Sequence, residues 1–320
     1  MQAYPFVVDE TPYCLWDWNI PERNLEFLDA IDPDYFSNTV QLLIGGLESD
    51  EKHHAGIAIR LTYSQALETF FAFLGATVQA PRAPIGWLLK YQVVELRSVV
   101  KKLSTGKHLL TRLHGPLTWE ALSAAIHRFQ LEDQAKEKSI KAGFASAWQR
   151  FAGDFLNDKS TAEYNGIKHG LRLRSGGVTI AAGRQDMPGV PAPPDRMKVI
   201  AAEEFGSTYF AAETLGATKV NFRALTAFRA WDPLSLANRI QLLSFSIANV
   251  VGYLKILSGR PPAEVKYFWP SQPDEAFEEA WDARSSHLEF AANVNITAAE
   301  IKPMSKTEVL ESYKSASNSE

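Results

Sequence analysis

Residues 162–174 read Ala-Glu-Tyr-Asn-Gly-Ile-Lys-His-Gly-Leu-Arg-Leu-Arg. An amide (Asn165), an ammonium (Lys168), an imidazole (His169) and two guanidiniums (Arg172, Arg174) follow one another closely there. Asn165 and His169 are four positions apart, so on a helix their side chains share one face. An imidazole beside fixed cations can pass a proton while guanidiniums hold the charge of a phosphate. The same residues also describe a plain helix end. On that reading Lys168 and His169 meet the negative end of the dipole and Gly170 takes the left-handed conformation. Arg172 and Arg174 then face solvent from a strand whose Leu171 and Leu173 point inward. Both readings stay open on spacing alone.

The elements that must position this segment are mostly helical. Helices are expected over 34–47, over 51–79 with a stop at Pro81, and from Pro84 to about residue 103, closed by Gly106. Another opens at Thr118. Residues 132–157 carry Ile140, Phe144, Trp148, Phe151 and Phe155 at spacings of four, four, three and four, which is a helix-core stripe. The motif helix runs from about 160 to 169. The short loops between these helices predict antiparallel neighbours, as in a bundle.

Beyond Gly170 the period changes to two. Leu171–Arg174 alternates, Ser175-Gly176-Gly177 supplies a turn and Val178-Thr-Ile resumes, so a β-hairpin is expected. A Pro-rich loop over 183–196 and strands near 197–203, 207–214 and 219–229 complete a small β insertion. Asp232-Pro233 then caps a long helix with the stripe Leu236, Ile240, Leu243, Ile247, Val250, Leu254 and Leu257, ended by Gly259. An acidic helix follows over about 273–284. The fold class expected is therefore mainly α, an antiparallel helical bundle with a small antiparallel β insertion. Its parts are an extended aromatic and Pro-rich arm (1–33), the bundle (34–170), the β insertion (171–231) and the returning long helix with the acidic helix (232–301). A disordered tail closes the chain (302–320).

Composition narrows the function classes. The chain has 320 residues, 46% hydrophobic and 22% charged, with a net charge of −4. That balance argues against a bulk electrostatic grip on nucleic acid and leaves room for a local basic patch. One such patch is Lys101, Lys102, Lys107, His108 and Arg112, a solvated helix end or a phosphate contact. The single cysteine, Cys14, rules out an internal disulfide and suits a reducing cytoplasm. Met1–Glu10 has neither the basic nor the apolar region of a secretory signal. The apolar run 70–89 contains Gln79, Pro81, Arg82 and Pro84, too interrupted for a membrane span.

Other motifs are weaker. Glu68 stands amid Leu67, Phe70, Phe71 and Phe73, where it either pairs with Lys168, His169 or Arg172 or faces solvent with Arg60 and Ser64. Glu51-Lys-His-His54 holds a Glu-x-x-His, the local sign of di-iron bundles, but no second such pair exists. His108, His114, His127 and His287 are isolated and read as surface or satisfied histidines. A phosphate-cradling P-loop, a Gly-x-Gly-x-x-Gly turn and a Gly-x-Ser-x-Gly elbow are all missing, which disfavours nucleotide-driven motors, Rossmann dehydrogenases and α/β-hydrolases.

With its helical character and a polar motif late in one helix, the chain resembles the HEPN superfamily, which includes metal-independent ribonucleases of toxin–antitoxin and phage-defence systems. Their motif is an Arg, often followed by Asn, with a His several residues on. Tyr164-Asn165-Gly166-Ile167-Lys168-His169 fits at the Asn and His positions, and Tyr164 stands where the family has Arg. The resemblance implies a cleft shared by two subunits in which a ribose 2′-hydroxyl attacks the adjacent phosphate. His169 would be the acid/base and Asn165 would orient the phosphate. Lys168 and Arg172 would stabilise charge in place of the missing arginine, with Arg174, Tyr164 and Glu68 as binding residues. It implies no cofactor and no metal, and RNA, a second copy or a partner protein as partners. A non-enzymatic scaffold or interaction module is the alternative expectation.

Overall fold

The computed structural model describes the chain except residues 114, 170–171, 185–186, 188–189, 191, 216–219, 282–288, 293–301 and 318–320. The expectations for His114, Gly170, Leu171, His287 and parts of the Pro-rich loop lie outside the described residues. The chain divides into two units, residues 1–161 with 232–285 and residues 162–231 with 286–320.

In the first unit the β1 strand (Gln2–Val8) and β2 (Thr11–Asp17) form a hairpin, followed by α1 (Ile20–Asp29) and α2 (Tyr35–Ile44). The central element is α3 (Lys52–Gln79). It packs against α2, α4 (Pro84–Lys90), α5 (Val93–Thr105), α7 (Gln134–Leu156) and α9 (Pro233–Leu257). Residues 70–80 are all buried, which explains why the latter half of α3 is apolar around its whole circumference. Gly75 has a specific task there. A Cβ on it would meet the Trp87 ring at 2.6 Å, so its absence lets the indole lie on the helix.

The stripe Ile140, Phe144, Trp148 and Phe151 of α7 is buried as its spacing predicts, and Trp148 donates its indole N–H to Ser246 Oγ at 2.9 Å. Burial of each such ring stabilises by about 1.5–3 kcal/mol. Along α9, Leu236, Ile240, Leu243, Ile247, Val250 and Leu254 are buried, and Asp232 caps the helix through the Ser235 N–H at 2.8 Å. Among the described residues α9 is the one helix long and apolar enough to cross a membrane, and most of it is buried within the protein. Two shorter helices, α6 (Trp119–Ile126) and α10 (Pro273–Glu279), pack on α7.

The second unit holds the end of α8 (Asp158–Lys168) and a small β system. One sheet has the order β3 (Leu173–Ser175), β6 (Gly206–Thr214), β7 (Phe222–Ala230) and β8 (Glu289–Ala292), while β4 (Val178–Ala182) pairs with β5 (Lys198–Glu203). All the pairings are antiparallel. The α11 helix (Lys306–Ser317) is tied on by Asn221, which accepts from Met304 N at 2.9 Å and donates to Met304 O at 2.7 Å.

Several expectations are corrected. Residues 1–33 are not an extended arm throughout: Asn19 caps α1, Pro21 stands in its first turn, and Ile20, Asn24 and Leu28, four apart, are buried. The hairpin before it docks by Phe6 and Val8, and the Gln79 amide brackets its turn, accepting from Asp9 N and donating to Asp9 O. The single helix expected from Pro84 breaks at Tyr91, where Gln92 starts α5 and its N–H is held by the Glu95 carboxylate at 3.0 Å.

The tail expected to be disordered contains α11, opened by reciprocal bonds between Ser305 and Glu308. Ser175-Gly176-Gly177 does not reverse the chain. Leu173 pairs with Tyr209, Ser175 with Ser207, Val178 with Glu203 and Ala182 with Lys198, so β3 and β4 run on together beside β6 and β5. Gly176, at φ 142°, bends this long strand, and the reversal falls in the Pro-rich loop instead.

Candidate functional site

The local geometry at the end of α8 starts from its backbone. His169 N–H donates to Asn165 O at 3.0 Å, so helical geometry persists through the Asn165–His169 pair. Arg172 N–H then donates to Gly166 O at 2.8 Å, and its guanidinium reaches Asn165 O at 3.5 Å. The last carbonyls of the helix are thereby satisfied by the residue that opens the following strand segment. Lys168 Nζ lies 5.5 Å from the Tyr164 ring centroid, a cation–π contact along the helix surface.

Asn165, Lys168, His169, Arg172 and Arg174 are all exposed and Tyr164 is half-buried. The structure thus brings Asn165, Lys168, His169 and Arg172 to one helix end. Arg174, on β3, is opposite Thr208. Glu68 is half-buried on α3, in the first unit.

The sequence reading missed the one acid of the segment. Glu163 is fully buried, accepting from Ser207 Oγ at 2.5 Å and from the Trp231 indole N–H at 3.0 Å, with Arg229 Nη1 3.8 Å away. Its signal was legible, because Glu163 precedes the buried Gly166 and Ile167 by three and four positions and so belongs to the inner stripe of the helix. As a result the negative charge of the segment is turned into the sheet while its cations face solvent. Among the described residues no carboxylate pairs with Lys168, Arg172 or Arg174.

Two other polar clusters belong to the first unit. His127 is buried between the rings of Phe144 and Trp148; its Nδ1 bonds Ser123 O at 2.9 Å and its Nε2 lies 3.1 Å from Asn249 Nδ2. Burial holds its imidazole neutral, with the pKa pushed down to about 3. Tyr63 donates to Asp154 at 2.5 Å, and Arg239 sits 3.5 Å from the same oxygen. Burial, with the Asp154 charge, pushes the Tyr63 phenol well up, so it stays a donor. Both clusters are internally satisfied and read as core polar networks. Glu51 and His54 form an exposed pair, and among the described residues no three metal-ligating side chains converge.

Fold and site together define a mainly α chain with small antiparallel sheets and a basic helix end. No family model, curated protein or solved structure matches it.

Proposed function

We propose that the exposed end of α8, with Arg172 and Arg174, binds the phosphates of RNA, and that the His169 imidazole is the acid/base group there. The observation that carries this reading is the division of charge within the segment. Glu163 is buried and committed, whereas Lys168, His169, Arg172 and Arg174 are exposed. Unpaired cations on such a surface are what backbone contacts to a nucleic acid use. The same reading carries the antiparallel helical bundle, the cytoplasmic setting and the two-subunit cleft of HEPN ribonucleases. Contacts of α3 with α2, α7 and α9 support the bundle.

Catalysis would follow the HEPN route. The imidazole of His169 takes the 2′-hydroxyl proton and the neighbouring cations hold charge on the phosphate, leaving a 2′,3′-cyclic end. The test is purified protein with varied RNAs in EDTA. The expected outcome is cleavage to cyclic-phosphate ends that His169→Ala abolishes without loss of folding. Absence of both binding and cleavage by the wild type would reject the reading.

A second reading is favoured by one observation. The Arg172 bonds to Gly166 O and Asn165 O are a helix cap, which serves a non-enzymatic scaffold equally well. In that case Arg172→Ala, which keeps the backbone bond to Gly166 O and removes only the side-chain contact, leaves RNA retention untouched.

A further inference from the structure

Within the first unit, a groove of about 510 Å³ opens between the end of α3, the loop before α6, and the C-terminal part of α9. Arg82, Arg112 and Arg128 line it, and among the described residues no acidic one does. Its walls are otherwise mostly aliphatic, with Leu117, Leu122 and Leu257 as the larger contributors beside Tyr253. A second cavity of about 580 Å³, bounded on its far side by β1, shares Arg82 and Arg112 with it, and again no acidic residue among the described ones lines the space. Arg82 and Arg112 therefore border both spaces.

The three arginines are not used elsewhere in the described structure as ion-pair partners. Among the described residues no carboxylate pairs with any of them. Arg128 is held in place by its bond to Tyr253 Oη at 3.3 Å and its position 4.9 Å from that ring. The backbone that presents the other two is fixed as well. Arg82 O accepts from the buried Asn24 amide at 3.0 Å, Arg112 N donates to Val78 O at 3.0 Å, and Thr111 Oγ1 donates to the same carbonyl at 2.8 Å. Three exposed guanidiniums bordering one apolar hollow, with no carboxylate beside them, offer an anion several donors at once. A stability role would have been served by pairing at least one of them with an acid.

We propose that this groove binds a small organic phosphate monoester with an aliphatic body. The dianionic head would lie at Arg82 and Arg112, where planar guanidiniums match its oxygens, and the chain would lie along the leucine wall. A phosphomonoester carries up to two charges at neutral pH, which suits three cations better than a carboxylate does. The volume is that of a small-ligand site, and Tyr253, the aromatic residue among those lining it, is buried and covered by Arg128 rather than open for the bases of an RNA strand to stack on. This site uses none of the residues proposed above for RNA.

The experiment is calorimetric titration and thermal unfolding of the full chain with millimolar hexyl phosphate, against inorganic phosphate and hexanol at equal concentration. Hexyl phosphate is expected to bind and to raise the unfolding temperature more than either control. The double variant R82A/R112A should bind at least about tenfold more weakly, because charge-assisted bonds from a guanidinium to a phosphate are strong ones. Its unfolding temperature without ligand should stay close to that of the wild type, both side chains being exposed. Wild-type chain that also pellets with phosphatidic acid vesicles, where the double variant does not, would name a lipid as the source of the ester; no pelleting would name a soluble one. Hexyl phosphate no better than inorganic phosphate, undiminished binding by the double variant, or loss of RNA binding rather than ester binding in that variant would each overturn the proposal.

Discussion

The Glu163 carboxylate accepts a 3.0 Å hydrogen bond from the indole N–H of Trp231, and both side chains are buried. Ser207 completes the arrangement from β6, so one carboxylate on α8 holds two points of the sheet region. Glu163→Ala removes the acceptor and strands two buried donors, an expected cost of about 3–5 kcal/mol. Glu163→Gln keeps an acceptor oxygen and should cost clearly less. Chemical unfolding followed by Trp fluorescence reads the difference, and equal losses in the two variants would contradict the clamp.

His127 makes stability depend on pH. Its neutral form is favoured in the folded chain by burial, the Ser123 carbonyl acting the other way and the Lys141 charge reinforcing burial, so its pKa falls from 6.5 to about 3. Between those values the unfolded chain binds more protons than the folded one. The contribution is therefore fully present above about pH 6.5 and is lost as the pH falls toward 3, by up to about 1.4 kcal/mol per unit. Urea midpoints between pH 7.5 and 4.5 should drop with acid, and His127→Gln should flatten that dependence. An unchanged slope in the variant would assign it to other groups.

Tyr63, Asp154 and Arg239 couple α3, α7 and α9. Tyr63→Phe deletes one charge-assisted hydrogen bond and leaves Asp154 beside Arg239, with an expected loss of about 1.5–3 kcal/mol. Asp154→Ala should be worse, because it leaves a nearly buried guanidinium without its counter-charge. Thermal unfolding that ranked the two in the opposite order would show that Arg239 is sufficiently satisfied by Ala280 O, to which its Nε donates at 2.7 Å.

For the basic corner, the salt dependence of RNA binding is the discriminating quantity. Removing a cation that neutralises one phosphate should reduce the slope of log K against log salt by about 0.7 on a single strand. Lys168→Ala and Arg174→Ala should each show a reduction of that order. Slopes indistinguishable from wild type would remove these residues from any nucleic-acid surface.

Much of the helical text was legible because burial of one face imposes its period on the chain. The stripes of α7 and α9 are legible for that reason. Strands near 198–203, 206–214 and 222–230 were legible from their β-branched and alternating residues. Pairing was not. Gly176-Gly177 carries the residues of a tight turn, yet the partners of β3 and β4 come from beyond residue 197, and only the register shows that the glycines bend one long strand. The break before α5 is hard to see in advance because Tyr91 and Gln92 are ordinary residues, and the capping bond to Glu95 competes with helix continuation only weakly in sequence terms.

By itself the sequence determined a mainly α chain, the place of its long core helices, and a segment in which Asn165, Lys168, His169 and two arginines follow one another. Those are consequences of local spacing, which a helix converts directly into shared faces. Tertiary structure alone decided that Glu163 is the buried member of that segment while the cations remain in water. It also brought Arg82, Arg112 and Arg128, far apart along the chain, to one groove. Which charge is hidden and which is left unpaired depends on the elements packed around each residue, and such neighbours come from distant sequence that no local pattern records.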